Sequence, residues 1–182
     1  MSLTSKEAAE TLSDAEAAAR RSAQIYSYRK ASPHLILWGA VWVIGYAGTD
    51  LFPAYDNWIW GPLIVVGCAA GLWIGQRTHR TGGPRGWRML VLAAIALLFV
   101  FSTYAIMHPT HGPQFAAFPA LLTGAVYMGV GLWFGFRYVA AGVLVIALTL
   151  TGFYFLHQHI LLWMAFVGGG AMMLTGLWFR QA

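Results

Sequence analysis

Long stretches without a formal charge alternate along this chain with short polar or basic ones. A helix needs about 20 apolar residues to cross a hydrocarbon layer about 30 Å thick. Residues 31–49 contain no Asp, Glu, Lys or Arg, and Pro33 suits the first turn of a helix running through Trp38 and Tyr46. The polar stretch Thr49–Asn57 follows, with Asp50, Pro53 and Asp56, and a second apolar run covers 57–75. The segment Gln76–Arg88 is basic and holds the helix breakers Gly82, Gly83 and Pro84. Residues 89–136 are uncharged and too long for one crossing, and HPTHGP at His108–Pro113 supplies the turn. Residues 138–179 are also uncharged and too long; their expected break is His157–His159, where no proline marks it.

This pattern predicts spans at 33–49, 57–75, 88–107, 114–136, 138–156 and 160–179. The runs are continuously apolar, not alternating, so helices are expected and not a closed barrel. The expected fold is all-α: six transmembrane helices as three antiparallel hairpins over 33–182, preceded by a cytoplasmic helical segment over 1–32. Thr4 with Glu7 and Ser13 with Glu16 both have capping-box spacing, so this first segment should be two short helices or one with a break. Its apolar face (Leu12, Ala15, Ala19, Ile25, Tyr26) is thin. Such a face suits a solvated or interface-lying helix, with docking of a cytoplasmic partner as the alternative.

Composition agrees with a lipid-solvated chain. Hydrophobic residues make up 59% and charged residues 9%, against about 25% charged in ordinary soluble domains. Charge placement then sets the orientation. With the N-terminus inside, the inner segments hold all eleven basic residues: Lys6, Arg20, Arg21, Arg29, Lys30, Arg77, Arg80, Arg85, Arg88, Arg137 and Arg180. The outer segments hold only Asp50 and Asp56. The positive-inside rule therefore puts both termini in the cytoplasm, and the expected location is the plasma (inner) membrane. The net charge of +5 does not point to nucleic acid, because the basic residues sit at the ends of apolar spans. The first thirty residues have no apolar h-region, so insertion is expected through the first span. Trp73, Trp87, Trp133 and Trp178 fall at the inner interface, and Trp58, Trp60 and Trp163 at the outer one. Cys68 has no partner for a disulfide within the chain.

Three spans end alike: GLWIGQR at Gly71–Arg77, GLWFGFR at Gly131–Arg137 and GLWFRQ at Gly176–Gln181. Interfacial Trp followed by inner Arg is ordinary, but the shared Gly-Leu suggests a triplicated hairpin. Gly67, Gly71 and Gly75, and Gly131 with Gly135, have GxxxG spacing and are the expected helix-packing residues.

Chemistry is sparse. No acidic or basic residue lies within a span, and nucleophile, HExxH and Walker motifs are absent, so an enzyme is not expected. His108, His111, His157 and His159 share the expected outer side with Asp50 and Asp56. Imidazole ligates transition metals, so these four histidines are the candidate metal or haem ligands, with Met107 and Met164 as softer neighbours. Otherwise no cofactor is expected. The preferred function is a non-enzymatic membrane protein packing with itself or with a membrane or cytoplasmic partner, as an accessory, sensor or signalling subunit. The alternatives are a small transporter or channel for a weakly charged or uncharged solute, lined by Thr123, Tyr127, Thr149, Thr151 and Thr175, and a metal- or haem-binding protein.

Overall fold

The computed structural model describes residues 4–78, 86–108 and 112–181. Among these the chain is helical throughout: α1 Ser5–Leu51, a 3-10 turn Pro53–Tyr55, α2 Asp56–Thr78, α3 Gly86–Met107, α4 Gly112–Phe134, α5 Phe136–Phe155, a 3-10 turn His157–His159, α6 Ile160–Trp163, a π-helical turn Met164–Gly169 and α7 Gly170–Arg180. Among the described residues, four stretches are long and apolar enough to cross a membrane: Pro53–Arg77, Gly112–Phe134, Phe136–Phe155 and His157–Arg180. The apolar runs over 33–49 and 88–107 lie in α1 and α3.

The N-terminal segment and the first apolar run form one helix of 47 residues, about 70 Å long. This corrects two expectations. Ser13 lies inside α1, so of the two capping boxes only Thr4–Glu7 starts a helix. Pro33 stands in the helix interior, not in a first turn. Its ring removes the N–H that the Arg29 carbonyl would otherwise accept, a local weakening that the surrounding packing offsets. At the true start, the Glu7 N–H donates to Thr4 Oγ1 at 3.3 Å, and the Thr4 N–H donates to Glu7 Oε2 at 2.9 Å.

The first part of α1 is an arm. From Thr4 to Tyr26 its described side chains are exposed, except for half-buried Ala17. Packing begins at Ser27 and Tyr28, and the rest of α1 is the centre of the bundle, with Ser32, Leu35, Val41, Trp42 and Tyr46 buried. α2 lies antiparallel to it, Gly67 meeting Val41 and Trp38, and Gly48 meeting Ile59. α7 and the π-helical turn cover another side. A Cβ on Gly169 would stand 2.8 Å from the Gly39 carbonyl oxygen, and one on Gly176 would stand 3.0 Å from that of Ser32. The Ser32 hydroxyl donates to the Gly176 carbonyl at 2.7 Å.

α4 and α5 form the other close antiparallel pair, crossing where Gly124 and Gly142 meet. Among the described residues, the most extensively packed helix pairs, α1 with α7 and α4 with α5, join segments of different expected hairpins. Large apolar side chains also point outward, including Phe155 at 81% exposure, Leu132 at 78% and Phe136 at 77%, beyond a core that combines Trp42, Tyr46, Ile160, Met164 and Phe179 with glycine and alanine at the close contacts. An outer surface this apolar suits surroundings that are themselves apolar.

Two outcomes follow. Gly142→Ala places a methyl against the Gly124 carbonyl and should destabilise by about 1–3 kcal/mol. Gly129→Ala meets open space within helix α4, and the better helix former should leave stability equal or raise it by up to about 1 kcal/mol. Thermal unfolding in detergent compares them, and equal melting temperatures would refute the close crossing. At the arm, the backbone N–H of Thr4 and then its hydroxyl hold the Glu7 carboxyl below its ordinary value. This support is complete above the ordinary glutamate pKa and is lost as pH falls through the lowered one. Protection of the first-turn amides, taken relative to their intrinsic exchange rate at each pH, should fall at acid pH, and Glu7→Gln should lower it already at neutral pH.

Candidate functional site

The chain gathers its polar chemistry at the two ends of the bundle. At the end bearing the arm, α1, α5 and α7 meet. Tyr28 packs on Tyr138 and Phe179, with ring centroids 5.4 and 5.0 Å away, and Tyr138 packs edge-on to Phe179 at 4.9 Å. The Tyr138 hydroxyl donates to the Ser27 carbonyl at 3.1 Å. A phenol has one proton, so the 2.8 Å contact between this hydroxyl and Ser27 Oγ must use the serine proton. Two consecutive residues of α1 are thereby tied to α5 just where the arm leaves the bundle.

Gly135 lies at the same place. It separates α4 from α5 with φ +116°, a backbone conformation that favours glycine. The Tyr28 hydroxyl fills the space where a Cβ would stand. Next to it, the Arg137 Nη1–H donates to the Trp178 carbonyl at 2.7 Å, and the guanidinium lies 4.7 Å from the Trp178 ring and 5.4 Å from the Tyr28 ring. This carbonyl belongs to the last turn of α7, where helix carbonyls lack helical donors and a cation is favoured.

Of the three similar segments, the first and third are helical and the second is broken at Gly135. α2 continues through Gly75, and Arg77 stacks over its own Trp73 at 3.8 Å. In the second segment the helix stops at Phe134, and Arg137 turns to Trp178 of the third. Of the expected packing glycines, Gly67 and Gly71 face α1, and the Gly71 carbonyl accepts from His34 Nε2 at 3.2 Å. Gly75 meets nothing within 4 Å. Gly131 sits against Val139 across the α4–α5 turn, so it and Gly135 shape a turn and not a continuous helix face. The close approaches of one helix backbone to another involve Gly39, Gly124, Gly142, Gly169 and Gly176. Where α1 meets residues 169–176 the spacing is seven, Ser32–Gly39 and Gly169–Gly176, which a search at four does not find.

At the opposite end, Trp60 Nε1 donates to Thr49 Oγ1 at 3.0 Å, and that hydroxyl donates to Asp56 Oδ1 at 2.7 Å. The buried Tyr46 donates to the Ala116 carbonyl at 3.2 Å. Pro119 leaves the Phe115 carbonyl without its helical donor, and the Tyr104 hydroxyl supplies one at 2.9 Å. His108 ends α3 at φ 41° and is exposed. His157 and His159 are exposed in their 3-10 turn, with His157 Nδ1 3.3 Å from the Phe153 carbonyl oxygen. His111 lies outside the described residues. Among the described residues, no three His, Cys, Asp or Glu side chains converge. The hydroxyls of Thr123, Thr149, Thr151 and Thr175 each donate to the carbonyl four residues back. Each thereby satisfies a carbonyl of its own helix.

The junction yields a specific expectation. Gly135→Ala should cost about 1–3 kcal/mol through its backbone conformation. Adding Tyr28→Phe removes the clashing hydroxyl but not the strain, so the double variant should recover only part of the lost melting temperature. Full recovery would show that the turn tolerates a side chain.

No family model, curated protein or solved structure matches the chain.

Proposed function

We propose that this chain is a plasma-membrane protein with six spans in three hairpins and both termini in the cytoplasm. It acts without catalysing a reaction: a cytoplasmic protein docks on the arm of α1, and the contact passes to the helices within the lipid. The observation that carries this reading is the continuity of α1, which runs unbroken from exposed residues 4–26 into the buried centre of the bundle. A helix is stiff along its axis, and a solvated arm of this length gains little from its own packing. Its support comes from anchorage at Ser27 and Tyr28, which couples any load on the arm to Gly135 and α5.

Charge supports the orientation. The helix contacts bring Arg137 and Arg180 to the arm end, while Asp56 and the His157–His159 turn lie at the other. The positive-inside rule assigns the basic end to the cytoplasm. The apolar outer surface supports insertion in lipid.

In a Cys68→Ser background, a membrane-impermeant thiol reagent should modify Gln158→Cys in intact cells and leave Gln76→Cys unmodified. The reverse pattern would invert the orientation. Crosslinking from residues 5–22 should capture one specific protein, and deleting those residues should abolish capture while leaving the melting temperature of the bundle unchanged. A partner retained after the deletion, crosslinks only between copies of this chain, or a full-length monomer without crosslinks would overturn the docking reading.

A further inference from the structure

α5 and α7 run antiparallel, with Arg137 beside Trp178 at one end. Between them lies an open groove of about 270 Å³ lined by Leu144, Leu148, Ala171, Leu174, Thr175 and Trp178. The lining is apolar in effect, because the Thr175 hydroxyl is turned into its own helix and donates to the Ala171 carbonyl at 2.7 Å. Leu148 lies eleven residues beyond Arg137 on α5, about 16 Å along the helix. The groove is therefore a lateral apolar slot with a cation at one end.

That cation is held in place. Its Nη1–H donates at 2.7 Å to the Trp178 carbonyl, and the Trp178 ring lies beneath the guanidinium at 4.7 Å. One carbonyl engages one of the five N–H donors a guanidinium carries. The planar fork matches phosphate geometry. Arg180 follows at the end of α7 and is exposed. An occupant that matches these features is apolar along its length and anionic at one end, and the groove is open along its side.

We propose that this groove binds one anionic phospholipid, with an acyl chain between α5 and α7 and the phosphate on the Arg137 guanidinium. The proposal rests on the lipid-inserted reading of the bundle but is independent of the arm and its partner. Arg137 would then link the headgroup to Tyr28 and the base of α1, so lipid occupancy would stiffen the same junction.

Purified full-length protein in detergent tests the site by titration with phosphatidylglycerol, phosphatidylcholine or inorganic phosphate, read by thermal unfolding and native mass spectrometry. Phosphatidylglycerol should give a 1:1 adduct and raise Tm by about 5–10 °C near one hundred times its Kd. Phosphatidylcholine should give less than half that rise, and inorganic phosphate, which has no chain for the slot, none. Arg137→Gln should abolish the preference for phosphatidylglycerol, and Arg137→Lys should keep part of it. Leu174→Trp, at a position 68% exposed, should fill the slot and remove the adduct with the Arg137 contacts intact. An unchanged phosphatidylglycerol preference in Arg137→Gln, or wild-type lipid binding in Leu174→Trp, would overturn the proposal. If Arg137→Gln does not fold, Leu174→Trp decides alone. Loss of the arm's crosslinked partner with the lipid preference intact would sink the docking reading and leave this one standing.

Discussion

The close approach of α1 to α7 is the contact on which the rest of the bundle depends. Between helices surrounded by hydrocarbon, apolar burial supplies little net attraction, because lipid tails are as apolar as leucine. Association then rests on dispersion contacts and interhelical hydrogen bonds, and both strengthen as backbones come together. Gly39 and Gly169 allow that approach, and Gly176 lets the Ser32 hydroxyl reach its carbonyl. The π-helical turn adds to it by presenting Gly168 and Gly169 to Trp42, Gly39 and Val43. α1 thereby becomes the axis against which α2, α7 and the turn are arranged.

Polar groups are settled locally. The hydroxyls of Thr123, Thr149, Thr151 and Thr175 bond back along their own helices, and Tyr104 and Tyr46 reach single carbonyls on α4. Among the described residues, no buried side-chain nitrogen or oxygen lacks a partner. In a medium without water an unpartnered polar group costs several kcal/mol, so this economy is what a lipid-solvated bundle requires. It also concentrates the remaining chemistry at the ends, where Arg137, Tyr28 and Tyr138 form a junction joining the base of the arm to α5 and α7.

That junction also shows how similar sequence can be put to unlike uses. The Gly-Leu-Trp segments share residues, yet Arg77 lies on the tryptophan of its own helix and Arg137 on that of another. The difference comes from Gly135, whose positive φ turns the chain before the arginine. A repeat in sequence need not be a repeat in contacts, because stacking depends on the direction in which the backbone delivers the side chain.

Hydropathy and charge alone determined that the chain is built of apolar helices, and nearly where they break: at 52–55, at His108, at Gly135 and at 156–159. Those features are local, since a span needs only length and apolarity, and a turn needs only a residue that stops the helix. The candidate site was far less legible. Arg137 and Trp178 were read as two interfacial residues, and Gly135 as part of a packing face, because nothing in the order of residues says that positions 28, 135 and 178 meet. The unity of α1 was likewise hidden, since Pro33 and a second capping box read locally as helix starts. Tertiary contacts decided these points: they set the partners of each helix, and an interior proline or a positive φ persists when the contacts around it outweigh its local cost.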